Sequence, residues 1–117
     1  MESSGSDAPR APHDDMIAEI TDAHFDEEIA HAPCALLFSS PWCGTCAKMA
    51  ARIESVSKQH NGVKFCTMDI TRNVRKASEL MVLSIPTILF FKDGEEKHRL
   101  SGDVSEQELS RGVRTIS

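Results

Sequence analysis

The apolar positions of this chain fall into runs and stripes that predict its elements. Cys34 to Ser39 (CALLFS) is a nearly continuous apolar run between Pro33 and Pro41, the pattern of a strand buried on both faces. Val63 to Ile70 (VKFCTMDI) sets Val63 and Phe65 either side of Lys64, and Thr87 to Lys92 (TILFFK) is a second dense run. Both predict strands. Asp93-Gly94 is a two-residue hairpin signal, so Glu96 to Ser101 is the returning strand, closed off at Gly102. Met16 to Ile20 (MIAEI) predicts a short first strand. Helices fill the gaps. The first starts at Thr21 or Asp22, carries Asp26, Glu27 and Glu28 early, puts Phe25 and Ile29 on one face, and stops before Pro33. A longer one has Met49, Ile53 and Val56 as its stripe and ends at Asn61-Gly62. A third begins near Asn73, with Val74, Ala77, Leu80 and Met81 as its apolar positions. Ser105 caps the last, with Gln107 or Glu108 in its first turn. The order is β-α-β-α-β-α-β-β-α. Strands alternating with helices, then a hairpin, predict an α/β domain with a central mixed β-sheet flanked by helices.

Composition narrows the partners. At 117 residues the chain is one small domain, long enough to bury about two-thirds of its unfolded surface without disulfide staples. Thirteen Lys and Arg against 18 Asp and Glu give a net charge of −5, so no nucleic acid is expected as a partner. There is no polybasic run, and the apolar run Ile88 to Phe91 is far short of the roughly 20 residues of a membrane span. No membrane association is expected. Residues 1–15 (MESSGSDAPRAPHDD) lack the apolar core of a secretory signal. They are expected to be a disordered leader to a domain over 16–117, and the protein is expected to be cytoplasmic. His13 falls in that leader, and His24, His31, His60 and His98 have no ligand spacing. No metal and no cofactor are expected. The Lys97-His98-Arg99 cluster reads as a solvated strand face.

Candidate chemistry rests on the four cysteines, Cys34, Cys43, Cys46 and Cys66. Cys43 and Cys46 form a C-x-x-C pair, a redox or metal signature rather than a fold staple in a cytosolic setting. No second ligand pair stands at usable spacing for zinc. Cys34 and Cys66 lie in apolar surroundings on strands expected to be adjacent. They read as small buried hydrophobes, with a regulatory thiol pair as the alternative; the strand start after Pro33 leaves partial exposure of Cys34 open.

The element order, Trp42-Cys43-Gly44-Thr45-Cys46 and its preceding Pro41, Ile85-Pro86-Thr87 about 40 residues on, the Asp93-Gly94 hairpin and Gly102 together resemble the thioredoxin family over about Ile17 to Thr115. The resemblance implies the thioredoxin fold and a protein-disulfide oxidoreductase. Cys43 then stands at a helix N-terminus, where the free N–H groups and the helix dipole favour a thiolate. It attacks a substrate disulfide, and Cys46, one turn on, resolves the mixed disulfide. Trp42, Gly44, Thr45, Ile85 and Pro86 are the implied substrate-binding residues. Gly44 keeps the turn open, Trp42 packs beside the site, and Ile85 offers backbone hydrogen bonds ahead of a cis Pro86. The implied partners are disulfide-containing protein substrates and thioredoxin reductase or another thiol reductant, with the chain a monomer.

The sequence departs from the family at four places. Leu37 occupies the position, six residues before the first cysteine, where thioredoxins usually carry a buried Asp that accepts the resolving thiol's proton. Thr45 replaces the usual proline between the cysteines, Ala51 a helix proline and Ser39 a second tryptophan. Thr45 leads to the expectation of a less reducing disulfide, since a better-stabilised thiolate favours the reduced form. Alternatives are a protein-binding module without catalysis, a glutathione-coupled or oxidising variant, and a metal or cluster carrier using Cys43 and Cys46 from two protomers. The bulky Ile85 before Pro86 disfavours the carrier.

Overall fold

The computed structural model describes residues 17–30 and 32–117. The expected leader with His13, the strand start at Met16, and His31 lie outside the described residues. The elements are β1 (Ile17–Glu19), a 3-10 turn (Asp22–His24) running into α1 (Phe25–Ala30), β2 (Cys34–Ser39), α2 (Gly44–Ser57), β3 (Lys64–Asp69), α3 (Val74–Glu79), β4 (Thr87–Lys92), β5 (Glu95–Ser101) and α4 (Glu106–Arg114). The sheet order is β1-β3-β2-β4-β5. β3 runs parallel to β1 and β2, while β4 is antiparallel to β2 and β5. This is the mixed sheet that the order of elements implies.

Side-chain parity along β2 divides the core into two layers. Ala35 and Leu37 pack with Met49, Ile53, Phe65, Phe90, Leu109 and Val113, on the side of α2 and α4. Cys34, Leu36 and Phe38 pack with Phe25, Ile29, Cys66, Met68 and Ala77, on the side of α1 and α3. A strand with a helix layer on each side has no solvent face, which is why CALLFS carries no charge. At the hairpin, Asp93 and Gly94 both take positive φ (55° and 80°), the geometry of a two-residue primed turn. α4 opens with a full capping box between Ser105 and Glu108. Its Gly112 lies so close to the sheet that an added Cβ would sit 2.5 Å from Cζ of the buried Phe90 ring.

α3 has a borrowed cap. Two backbone N–H groups of its first turn, of Arg75 and Lys76, donate to the two oxygens of the Asp22 carboxylate (3.1 and 3.0 Å). The buried Asn73 reciprocates, accepting from the Asp22 N–H and donating to the Asp69 carbonyl (both 3.0 Å). This polar anchoring corrects the expected apolar face of α3. Ala77 is buried and Leu80 partly so, but Val74 and Met81 face solvent.

Two carboxyls are held below the usual carboxylate range. A hydrogen bond from the Thr71 hydroxyl, reinforced by its N–H, does this for Asp69, and the Arg52 guanidinium does it for Asp103. A carboxyl whose folded pKa is depressed contributes stability above its unfolded value of about 3.9, and that contribution is lost as pH falls through the folded value. The expected outcome is an acid limb in the thermal midpoint below about pH 4 that is shallower in Asp103→Asn than in the wild type. Parallel limbs in the two proteins would remove Asp103 from the account. Asp103 is exposed, so the difference shrinks in high salt.

Candidate active site

The cysteine pair sits where β2 gives way to α2. After Ser39 the chain turns through Ser40-Pro41-Trp42, closed by a Cys43 N–H to Ser40 carbonyl bond of 3.3 Å. Cys43 is the N-cap of the 14-residue α2, in an extended conformation (φ −98°, ψ 107°), and its Sγ accepts from the Cys46 N–H at 3.1 Å. A sulfur placed there takes one of the orphan donors of the helix start. Cys43 is half-buried and Cys46 buried. The two are joined in a disulfide with Cα atoms 5.2 Å apart.

β4 begins at the same end of the sheet. Phe38 at the end of β2 pairs with Thr87 at the start of β4. Extending that antiparallel register by one step brings Pro86 opposite Ser39, at the sheet end from which the cysteine loop departs. The Ile85–Pro86 peptide is cis. Pro86 is buried, its carbonyl accepting from the Gly102 N–H at 2.8 Å, and Ile85 is half-buried. Thr87 fixes the approach by donating to the Ser84 carbonyl at 2.7 Å.

Gly44 is exposed, with open space where a Cβ would stand, and Thr45 is half-buried. Trp42 differs from expectation. It is 81% exposed rather than packed beside the pair. On the other side of the loop, a shallow cleft of about 260 Å³ is lined by Glu19, Ser39, Ser40, Pro41, Thr67 and Asp69. Leu37 is buried in the α2-side core, so its position holds hydrocarbon and no carboxylate.

Three residues near this end, Met81, Leu83 and Arg99, have no part in the site implied by the sequence. Met81 (φ 58°) and Leu83 (87% exposed) put two large apolar side chains into solvent on the segment before Ile85. Arg99, expected to be a solvated strand residue, instead braces that segment. Its guanidinium donates to the Leu80 and Met81 carbonyls (2.8 and 3.2 Å) while pairing with Glu96 (2.6 Å). Apolar neighbours of Ile85-Pro86 were a usable signal for Leu83; nothing local marks Arg99. Arg99→Ala is expected to cost about 1–2 kcal/mol, since hydrogen bonds from a charged donor are lost. It should also raise amide exchange over residues 80–85; unchanged exchange there would rule out the bracing role.

Comparison with known proteins agrees with this geometry. The thioredoxin family model matches residues 16–115. Thioredoxin of Listeria monocytogenes is 34% identical over 99 residues, covering 84% of this chain and 96% of that protein. Thioredoxin of Rickettsia prowazekii is 36% identical over 85 residues, covering 70% and 81%. Among solved structures, oxidised mitochondrial thioredoxin 3 of Saccharomyces cerevisiae superposes with a TM-score of 0.81 at 23% identity, covering 89% of this chain and 99% of its own, a likeness of fold. Among the described residues no helix is long and apolar enough to cross a membrane. With a C-x-x-C disulfide at the head of α2 and these relatives along nearly its whole length, the chain belongs to the thioredoxin family and is a thiol–disulfide oxidoreductase.

Proposed function

We propose that Cys43 is the attacking nucleophile and Cys46 the resolving thiol in the reduction or exchange of protein disulfides. The observation that carries this is the 3.1 Å hydrogen bond from the Cys46 N–H to the Cys43 sulfur at the start of α2. In the dithiol form, that donor and the positive end of the helix stabilise negative charge on Cys43. The Cys43 thiolate attacks one sulfur of a substrate disulfide, forms a new S–S bond and expels the other sulfur as thiolate. Cys46 gives its proton to solvent and attacks Cys43 Sγ. The mixed disulfide breaks, the second substrate thiolate leaves, and two electrons have passed to the substrate. The buried Leu37 supports water as the proton acceptor, because no carboxylate occupies its place.

Trp42, Gly44, Thr45, Ile85 and Pro86 form the surface that receives the substrate. Open space at Gly44 and the exposed Trp42 favour a broad protein partner over a small molecule in a pocket. Thioredoxin reductase or another thiol reductant returns the pair to the dithiol, and the chain acts as a monomer in the cytoplasm.

The decisive experiment is the reduction potential of the Cys43–Cys46 couple, by equilibration against a thiol–disulfide buffer with Trp42 fluorescence as probe. Family reference points are about −270 mV for thioredoxin and about −120 mV for a dedicated oxidant. With Thr45 between the cysteines, a value above the first is expected. A pair that does not cycle at all would sink the catalytic reading in favour of a docking module.

A further inference from the structure

Cys34 and Cys66 stand apart from the site above. Cys34 opens β2, and its register partner is Lys64; Cys66 is opposite Leu36. The two cysteines are thus diagonal neighbours on the same face of two parallel strands. Both are fully buried in the layer under α1 and α3. The Cys34 thiol donates to Cys66 Sγ, with the sulfurs 3.4 Å apart. A disulfide needs about 2.05 Å, so the sulfurs have only about 1.4 Å to close. Ordinary packing of small hydrophobes does not require two thiols aimed at one another.

The pair is chemically unequal. The hydrogen bond from Cys34 and the nearby Lys64 ammonium, itself paired with Glu28 of α1, hold the Cys66 thiol below the ordinary thiol range. Its hydrogen bond to Cys66 and its burial push the Cys34 thiol up. With the Cys34 thiol donating and Cys66 Sγ accepting, Cys66 is placed as the attacking sulfur and Cys34 as its proton-bearing partner.

We propose that Cys34 and Cys66 form a second redox site, a buried dithiol that a small peroxide-class oxidant converts into a β2–β3 disulfide independently of Cys43–Cys46. The Cys66 thiolate attacks one oxygen of hydrogen peroxide and the O–O bond breaks. Cys66 becomes a sulfenic acid, and the departing hydroxide takes up the proton that Cys66 had released, forming water. Cys34 Sγ then attacks Cys66 Sγ. The S–O bond breaks, the leaving hydroxide takes the Cys34 proton, and a second water leaves. Two thiols have lost two electrons, and one peroxide has become two waters.

Geometry selects the oxidant. About 17 Å of strand, five residues at about 3.3 Å each, separates Cys34 from Ser39, and Cys43 lies further on. Direct exchange with the Cys43–Cys46 disulfide is out of reach. Full burial excludes protein disulfides. A peroxide needs only local opening at the sheet end where β2 begins after Pro33 and β3 after Val63.

The test uses the full chain as C43S/C46S, treated with hydrogen peroxide, then unfolded and alkylated. The expected product has lost the mass of two hydrogen atoms, carries no alkylatable thiol, yields a Cys34–Cys66 linked peptide and regains both thiols with reductant. Its thermal midpoint rises, because the new bond closes a loop across a separation of 32 residues. Adding Cys34→Ala to that background, checked for folding by circular dichroism, abolishes the linked product. Two thiols still alkylatable after treatment, oxygen gained without cross-linking, or disulfide-linked dimers would each overturn the proposal and leave the pair as buried hydrophobes.

Discussion

Replacing Cys46 by Ser is expected to turn the protein into a trap. Cys43 keeps its place at the head of α2 and still attacks, but nothing resolves the product, so substrate proteins accumulate as mixed disulfides on Cys43. Cys43→Ser has the opposite outcome: no adduct forms, and turnover of a disulfide substrate falls by at least about a thousandfold, because a hydroxyl cannot replace the thiolate. Non-reducing electrophoresis and an insulin-type turnover assay read the two results. The asymmetry is the informative part. Equal trapping by both variants would mean that either sulfur can attack, contrary to the half-buried Cys43 and buried Cys46. Full turnover in Cys43→Ser would remove the nucleophile from the proposed mechanism.

The second large effect lies far from the cysteines. Gly112→Val is expected to destabilise the domain by about 3 kcal/mol or more, from overpacking against a ring that has nowhere to go. Phe90 is wholly buried in the α2–α4 layer, and three of its ring atoms lie within 3 Å of where the new Cβ would stand. Gly112→Ala is a milder version. Its helix propensity gain of about 1 kcal/mol offsets part of the clash, so a net loss of about 1 kcal/mol is expected. Urea unfolding measures both. Pairing Gly112→Ala with Phe90→Leu tests the mechanism, since the removed ring atoms make room and the two losses become less than additive. An alanine variant as stable as the wild type would show that the ring shifts freely.

Much of this was legible because the signals were local. CALLFS, bounded by prolines, suits a strand between two layers, since six positions without a charge leave no solvent face. Ser105 and Glu108 announced the last helix by their spacing, and Asp93-Gly94 announced its hairpin. Trp42-Cys43-Gly44-Thr45-Cys46 and Ile85-Pro86-Thr87 are sequence-distant, and only the resemblance joined them; the Phe38–Thr87 register supplies the physical reason. The misreadings share a cause. Hydrophobicity alone places Val74 and Met81 inward, yet α3 is oriented by Asp22 and Asn73, polar contacts spanning some 50 positions. Cys34 begins a strand, where partial exposure is open, yet it is buried as its apolar surroundings suggest, packed with Phe25 and Ile29 of α1. Trp42 is the reverse, a large aromatic left in solvent at the reactive edge.

The cap that Asp22 lends to α3 also bears on the order of assembly. A helix of six residues is too short to hold itself together in water. α3 therefore cannot mature until the segment around Asp22 has returned from the far side of the chain to dock, which makes it a late element limited by loop closure. The Ile85–Pro86 segment, proposed above as part of the substrate surface, follows this helix a few residues on. On that proposal, one face of the substrate site depends on residues synthesised some sixty positions before it, and a nascent chain carries its cysteine pair well before that face is complete.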